Sequence, residues 1–339
     1  MAVVKADAYG HGAIEVARAL AAQGCGKFAV ACVVEAVELR GSGLEGEIAV
    51  LSGLLAGEEP LAAHLRLTPF MQDPGQIERW NDQARADGRR LSYHLEIDTG
   101  MNRCGFDHAD VNTLATLVER ARDLDFEGLA SHHASAEDFT SDQYDEQQRR
   151  FSAVAATLAQ RGLRPSYLHC ANSVALAYRP ELDLDLVRPG ISLYGYVSRA
   201  QGDAPASRLR LTPALEWMTR IQKVRNIEAG ALVGYNGQFR AERETRIGVL
   251  PVGYGDGLDR RLSNRGEVLV AGRRCPMIGL ISMDITLVDL TDVPQAVAGD
   301  EVTLLGESLD AADMASRRGT ISLEVLCGIS KRVPRVYIR

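Results

Sequence analysis

The chain has 339 residues, of which 46% are hydrophobic and 24% are charged, and its formal net charge is −7. Its length exceeds that of one small domain and suits two domains, or one barrel with an appended domain. The acidic balance argues against nucleic acid or an anionic membrane as the main partner. No apolar run approaches the roughly 20 residues that span a bilayer.

The six cysteines are dispersed along the chain and form no C-x-x-C pair. That spacing favours reduced thiols over a disulfide framework or a zinc site. We therefore expect a cytoplasmic protein without a bound metal.

The first buried strand is predicted at residues 2–4, and Lys5 follows it at the carboxyl end. Barrels of alternating strands and helices place their chemistry at that end of each strand. Between Val4 and Ala6 the amine of Lys5 would be partly desolvated, which lowers the pKa of an amine and suits Schiff-base formation. An ordinary strand-end lysine would fit the same position, so Lys5 alone decides nothing.

Apolar runs typical of buried strands recur through the first half, at 2–4, 28–32, 48–51, 67–70, 93–97, 126–131, 167–170 and 184–187. Segments with helical spacing lie between them, as at 13–22, 111–121 and 143–160. This alternation favours parallel pairing, and eight strands predict a closed α/β barrel of the (β/α)₈, or TIM, type. After the eighth run the chain passes directly into Arg188-Pro-Gly, so the groove between the last and first strands lacks its own covering helix.

The pattern then changes to β, with strand-like runs at 214–224, 247–252, 267–270, 277–290 and 301–305. Dipeptides typical of turns lie between these runs, as at Asn236-Gly237 and Ala271-Gly272. Two short helical stretches follow, at 311–317 and 323–328. We predict two domains: the barrel over 1–204 and a C-terminal, mostly-β domain over 205–339.

The run KADAYGHG at 5–12 closely resembles the lysine motif that binds pyridoxal phosphate in the alanine racemase family. Further runs resemble that family in the same order: DTGMNRCG (98–105), SH (131–132), HCANS (169–173), RPGISLYG (188–195), GY (234–235), GYGDG (253–257) and SMD (282–284). The resemblance covers essentially the whole chain. It implies a barrel followed by a β-domain and a homodimer with shared active sites. It also implies interconversion of L- and D-alanine to supply cell-wall precursors.

By this resemblance, Lys5 holds the pyridoxal phosphate covalently. The backbone amides of Gly190 and Ile191 and the hydroxyls of Ser173 and Tyr9 bind its phosphate. A dianion needs several donors and a close backbone approach, which glycine permits. Taken alone, the glycine turn would equally fit a plain chain reversal.

Three further side chains are assigned to the cofactor by the same resemblance. Arg188 faces the pyridine nitrogen, where a permanently charged donor keeps that nitrogen unprotonated and makes the ring a poorer electron sink. His132 packs on the ring and supports Arg188, whereas its neighbour His133 is expected to be ordinary packing. Arg103 binds the phenolic oxygen of the cofactor and contacts the substrate.

Racemisation requires a base on each face of the planar carbanion, because the Cα proton leaves one face and returns on the other. Lys5 serves one face, and Tyr235 resembles the second base of the family, contributed by the partner subunit. Tyr254 and the backbone at Met283 resemble residues that line the substrate entrance and bind its carboxylate. Without the motif, a strand-end tyrosine such as Tyr235 would be interpreted as a packing residue or a hydrogen-bonded surface residue.

The sequence departs from the family pattern at four places. Members carry a further strand and helix before the lysine motif, and this chain starts just before Lys5. Glu96 stands where many members have a carbamylated lysine, and we expect its carboxylate to pair with Arg103. Leu323 replaces a tyrosine that narrows the substrate pocket, and Leu280 replaces an arginine at the entrance.

Two alternatives to an alanine racemase stay open from the sequence. Leu323 makes an amino-acid racemase of broader specificity plausible. The departures also allow a catalytically weak relative that only binds pyridoxal phosphate. A decarboxylase on the same barrel fits less well, because it needs no second base and bears a cysteine–aspartate motif that is not found here.

Overall fold

The computed structural model describes residues 1–182 and 184–338. The chain divides into two compact units, Met1–Ala8 with Gly12–Leu211 and Tyr9–His11 with Thr212–Arg339. Among the described residues, no helix combines the length and the apolar character that crossing a membrane requires.

The first unit is built on a parallel sheet in the order β1-β2-β3-β4-β5-β7-β8, with β6 paired to β5. Its strands are β1 (Ala2–Val3), β2 (Lys27–Val30), β3 (Glu47–Val50), β4 (Leu67–Met71), β5 (Leu91–Asp98), β6 (Phe106–Asp107), β7 (Leu124–Ala130) and β8 (Tyr167–His169). Most side chains of β2 to β5 are buried. Because both faces of these strands are buried, their sequences are nearly continuous apolar runs.

Helices connect these strands and follow the last of them: α1 (Ala13–Ala22), α2 (Val33–Gly41), α3 (Glu59–His64), α4 (Pro74–Asp87), α5 (Val111–Arg120), α6 (Gln143–Gln160) and α7 (Ser173–Tyr178). The limits of α4 follow from its sequence. Asp73 caps it by accepting a hydrogen bond from the Gln76 amide, and Gly88 ends it in the left-handed conformation.

The strand predicted at 184–187 is wrong, because no strand is assigned to that segment. The segment nevertheless connects both ends of the sheet. The amide of Asp185 donates to the carbonyl of Leu168, and the amide of Val3 donates to the carbonyl of Pro189 at 2.9 Å. The Met1 amino group also donates to the carbonyl of Val187 at 3.0 Å, so the segment forms scattered hydrogen bonds rather than a ladder.

The second unit contains a sheet in the order β15-β14-β17-β9, a sheet in the order β10-β13-β16 and the hairpin β11-β12. Its elements are β9 (Trp217–Arg220), β10 (Lys223–Ile227), β11 (Leu232–Val233), β12 (Phe239–Arg240), β13 (Thr245–Leu250), β14 (Glu267–Val270), β15 (Arg273–Pro276), β16 (Thr286–Asp289), β17 (Glu301–Leu305), α8 (Ala311–Arg318) and α9 (Ser322–Cys327).

The strands predicted at 267–270 and 301–305 are confirmed residue for residue. The run at 214–224 is instead divided between β9 and β10, which belong to different sheets. In the run at 277–290 only β16 is a strand, because Gly279 turns the chain with φ +73°. Apolar content alone does not reveal where a chain leaves one sheet for another.

Candidate active site

Lys5 lies two residues beyond β1 and is half-buried. The segment after it is a left-handed turn in which four successive residues without a glycine, Ala6 to Tyr9, have φ between 52° and 54°. This conformation costs about 1–2 kcal/mol for each L-residue. Such strain persists only where the surrounding structure holds it, and it concentrates at functional sites.

Local hydrogen bonds support this turn. The Ala8 amide donates to the Val4 carbonyl at 2.9 Å, which closes the turn onto the end of β1. The carboxylate of Asp7 accepts from the Ala13 amide at 2.8 Å and so joins the turn to the start of α1. The backbone after Lys5 is therefore strained but anchored.

Arg188 has a buried guanidinium, 6% exposed, whose Nη donors all face protein acceptors. Nη1 donates to Nδ1 and to the carbonyl of His169, at 2.6 and 2.9 Å. Nη2 donates to the carbonyls of Ser131 and Cys170, at 2.6 and 3.3 Å. Within the described residues, Arg188 has no carboxylate partner and its Nε–H makes no hydrogen bond.

The arginine fixes the tautomers of two buried histidines. Because a guanidinium can only donate, Nδ1 of His169 must accept and its proton must be on Nε2. That nitrogen lies 2.8 Å from Nδ1 of His94, which accepts in turn. Burial, with the charge of Arg188 next, holds the pKa of His169 well below its usual value. Burial also lowers the pKa of His94 to about 4, so both rings are neutral.

His132 brings four of the predicted site residues together. Burial first, and then the positive charges of Arg188, Arg103 and Lys5, lower its pKa to about 3. Three positively charged side chains therefore act electrostatically on one neutral imidazole. This concentration of positive charge suits an anionic ligand.

His133 plays the packing part that the sequence predicts for it. Its ring lies against that of Tyr144, with the centroids 5.0 Å apart. Burial lowers the pKa of His133 to about 4, so it too is uncharged at neutral pH.

The loop that carries Arg103 is shaped by Asp98 at the end of β5. One oxygen of this carboxylate accepts hydrogen bonds from the amides of residues 100–102, at 2.8 to 3.1 Å. The side chain of Arg103 is exposed, and it lines a small cavity together with Glu96 and His132.

The predicted pairing of Glu96 with Arg103 is wrong. In the part of the chain that the structure describes, Arg103 forms no ion pair. Glu96 instead accepts a hydrogen bond from the side-chain amide of Gln72 at 2.7 Å. Glu96 lies on the buried strand β5, and Gln72, directly after the neighbouring β4, supplies its donor. Sequence reasoning missed Gln72, whose only signal is its position directly after β4.

Ser173 and Gly190, two of the residues predicted to bind phosphate, are in contact. The Ser173 hydroxyl accepts from the amides of Gly190 and Ser192, at 2.8 and 3.2 Å, and lies 3.0 Å from the Ser192 hydroxyl. Ile191, between them in sequence, is buried. A phosphate that takes the Gly190 amide would replace its hydrogen bond to Ser173. Sequence reasoning missed Ser192, whose signal is the second hydroxyl in RPGIS.

Tyr9 groups with the second unit and is 8% exposed. Burial, followed by the charge of Cys327, raises the pKa of its hydroxyl to about 12. The carbonyl of the next residue, Gly10, accepts from Nε and Nη2 of Arg335, at 3.0 and 2.8 Å. Gly10 has φ +82°, and a Cβ there would lie 2.2 Å from the Leu326 carbonyl oxygen, so only glycine fits.

Three predicted residues of the second unit are exposed: Tyr235 by 70%, Met283 by 53% and Tyr254 by 44%. The last two lie on segments that are bonded to each other. The Tyr254 amide donates to the carbonyl of Ser282 at 3.0 Å, and the Gly255 amide donates to the carbonyl of Met283 at 2.9 Å.

Arg332 supports these two segments and was missed by sequence reasoning. Its guanidinium bonds to the carboxylates of Asp256 and Asp284, each at 2.7 Å. Nothing in the sequence near Arg332 indicates partners so far along the chain.

Two family models match the chain: "Alanine racemase, N-terminal domain" over residues 1–198 and "Alanine racemase, C-terminal domain" over residues 214–337. The chain belongs to the alanine racemase family. This confirms the family predicted from the motifs, and the barrel followed by a mostly-β domain is confirmed with it.

Relatives of known name extend the same result over the full length. The alanine racemase of Geobacter sulfurreducens is 40% identical over 347 residues, covering 100% of this chain and 90% of that protein. The alanine racemase of Symbiobacterium thermophilum is 41% identical over 343 residues, covering 99% and 90%.

Solved structures of alanine racemases match the fold as well. The enzyme from D-cycloserine-producing Streptomyces lavendulae matches with a TM-score of 0.92 and 33% identity, covering 100% of this chain and 90% of that chain. The enzyme from Bartonella henselae, described with covalently bound pyridoxal phosphate, matches with a TM-score of 0.89 and 32% identity, covering 99% and 92%.

The buried neutral histidines of this racemase-family chain predict acid sensitivity. Four folded-state pKa values, those of His94, His132, His133 and His169, lie below the usual value of 6.5. Below pH 6.5 the unfolded chain binds protons that the folded chain does not. The free energy of unfolding should therefore fall as pH drops, by about 1.4 kcal/mol per pH unit for each such histidine.

Urea unfolding between pH 4.5 and 7.5 checks this, with His133→Phe as the matched variant because phenylalanine keeps a ring against Tyr144 and removes the titratable group. The variant should show a shallower slope below pH 6.5 and the same slope as the parent above pH 7. Identical slopes at acid pH would contradict the buried neutral state of His133.

Proposed function

We propose that this chain is a pyridoxal-phosphate-dependent alanine racemase, an isomerase that interconverts L- and D-alanine. The observation that carries the proposal is the set of donors on Arg188. Four of its hydrogen bonds reach protein acceptors, and its remaining Nε–H has none in the described residues. This donor is therefore available to an acceptor on a ligand.

Pyridoxal phosphate fits the residues present. Its pyridine nitrogen is an acceptor for the Nε–H of Arg188, and its anionic groups suit the three cations around His132. Lys5 is half-buried, and its positive charge contributes to the lowered pKa of His132. The hydroxyls of Ser173 and Tyr9 and the amides of Gly190 and Ile191 bind the phosphate in this proposal.

When bound, the cofactor withdraws electrons from the amino acid and acidifies its Cα proton. Lys5 holds the cofactor at rest and then takes or returns the Cα proton on one face. Tyr235 of the partner subunit does the same on the other face. Arg188 donates a hydrogen bond to the ring nitrogen and keeps its own proton, since a guanidinium is not deprotonated in proteins.

The remaining proposed residues bind and orient. His132 presents a neutral ring to the cofactor, because its pKa lies near 3. Arg103 reaches the phenolic oxygen and the substrate carboxylate. Tyr254 and the backbone at Met283 line the substrate entrance.

A homodimer with shared active sites is part of this proposal. Large side chains of the second unit are exposed at the predicted positions, with Tyr235 at 70%. Exposed apolar and aromatic groups of this kind are typical of interaction surfaces. Residues 1–204 would supply Lys5 and the phosphate site, and residues 205–339 the second base. A cytoplasmic location stays a prediction from the sequence, consistent with six free cysteines.

The first test is a D-alanine assay on the purified chain with L-alanine and pyridoxal phosphate. Lys5→Ala should abolish turnover, and Tyr235→Phe should slow it about 10²–10⁴-fold, since a positioned proton donor contributes that much. The Cα proton of the enantiomer that Tyr235 deprotonates should also exchange with solvent deuterium more slowly than that of the other enantiomer, on whose face Lys5 remains. Tyr178→Phe is the matched control, because among the described residues the Tyr178 hydroxyl bonds only to the Ser198 carbonyl.

A chain that binds the cofactor without turnover would support the weak relative instead. Equal rates for Tyr235→Phe and Tyr178→Phe would remove Tyr235 from the mechanism. Assays with larger amino acids test the broader specificity that Leu323 suggests.

Mixing the two inactive variants tests whether Tyr235 acts across the dimer. A heterodimer of Lys5→Ala and Tyr235→Phe chains has one intact site if Tyr235 serves the partner's lysine, and none if it serves its own. Random exchange of equal amounts should therefore restore about one quarter of the wild-type activity, since half the dimers are mixed and each has one good site. Absence of restored activity, with subunit exchange verified by mass, would contradict the shared site.

A further inference from the structure

We propose that Glu35 is a positioning residue that fixes the direction of Lys5. This inference rests on the proposed function, in which Lys5 carries the cofactor. Glu35 lies in the first turn of α2 and is half-buried. One oxygen of its carboxylate accepts from the amide of Ala6 at 2.7 Å, and the other accepts from the amide of Ala31, also at 2.7 Å.

The two amides lie at comparable places on neighbouring strands. Ala6 immediately follows Lys5, at the point where the chain leaves β1 and enters the left-handed turn. Ala31 immediately follows β2. One carboxylate therefore joins the backbone after the lysine to the end of the adjacent strand.

The position of Glu35 is itself well supported. Cys32, the N-cap of α2, provides no side-chain cap. A carboxylate in the first turn is favoured by the helix dipole, and its bonds to amides are stronger than those between neutral groups. The helix therefore stabilises the position of the Glu35 carboxylate, and the carboxylate in turn stabilises the left-handed turn through the Ala6 amide.

The strain of the left-handed turn explains why such an anchor matters. Ala6 has φ 52° and would relax to an ordinary conformation if it were released. Its amide is one peptide unit from the Cα of Lys5, so rotation there redirects the lysine side chain. The bonds of Ala8 and Asp7 close the turn further along but leave the Ala6 amide to Glu35.

Glu35 is a positioning residue, because its two acceptors are occupied by backbone amides and it acts through the chain rather than on a reacting atom. Loss of the carboxylate should loosen residues 5–9 and weaken cofactor binding. An amide side chain at position 35 can accept through one oxygen only, so Glu35→Gln should have an intermediate effect.

The experiment compares Glu35→Ala and Glu35→Gln with Glu58→Gln. Glu58 is a matched control because its carboxylate also accepts from a backbone amide, that of Leu55 at 2.8 Å, without contact to the turn. Three quantities are measured: hydrogen exchange of residues 5–9 without cofactor, the dissociation constant of pyridoxal phosphate from its absorbance, and kcat with KM.

For Glu35→Ala we expect hydrogen exchange at residues 5–9 to be at least about tenfold faster. We also expect the dissociation constant of pyridoxal phosphate to be about tenfold larger, which corresponds to about 1.4 kcal/mol. Glu35→Gln should fall between it and the control. Exchange and cofactor affinity equal to those of Glu58→Gln would overturn the inference. If Glu35→Ala unfolds, the same comparison on Glu35→Gln decides.

The outcomes separate this inference from the proposed function. If the parent chain binds no pyridoxal phosphate, or if Lys5→Ala racemises alanine, the proposed function fails. If the parent is active and depends on Lys5 while both Glu35 variants match the control, only the role of Glu35 fails.

Discussion

The active-site end of the first unit depends on a buried guanidinium that has no counter-ion among the described residues. Arg188 is held by backbone carbonyls at the ends of β7 and β8 and by one neutral histidine. The carboxyl ends of parallel strands bring such carbonyls together, so the fold itself supplies the acceptors. These hydrogen bonds fix the orientation of the guanidinium, and its Nε–H is left for a ligand.

Rigidity at Arg188 contrasts with strain at Lys5. The arginine is hydrogen-bonded to residues at the ends of two strands, whereas the lysine precedes four left-handed residues. A strained segment that is held by a few directed hydrogen bonds keeps its side chain in one orientation. The same pairing of a rigid electrostatic partner with a constrained reactive group is what a proton-transfer enzyme requires.

The sequence predicted the barrel and the β-domain well, because buried parallel strands leave continuous apolar runs and family motifs locate the site. It failed where a long-range partner decides the structure. The segment at 184–187 has strand-like residues but only scattered partners. Glu96 has the expected identity, yet its hydrogen bond goes to Gln72. Nothing in the sequence indicated the role of Glu35, because the two backbone amides that donate to its carboxylate follow different strands.

The most direct test of this account is the ¹⁵N chemical shift of the pyridine nitrogen in labelled pyridoxal phosphate bound to the protein. Donation from Arg188 predicts the shift of a neutral, hydrogen-bonded pyridine that stays constant across the pH range of activity, because the guanidinium does not release its proton. The shift of a protonated pyridinium would contradict the role assigned to Arg188 and to the neutral histidines behind it.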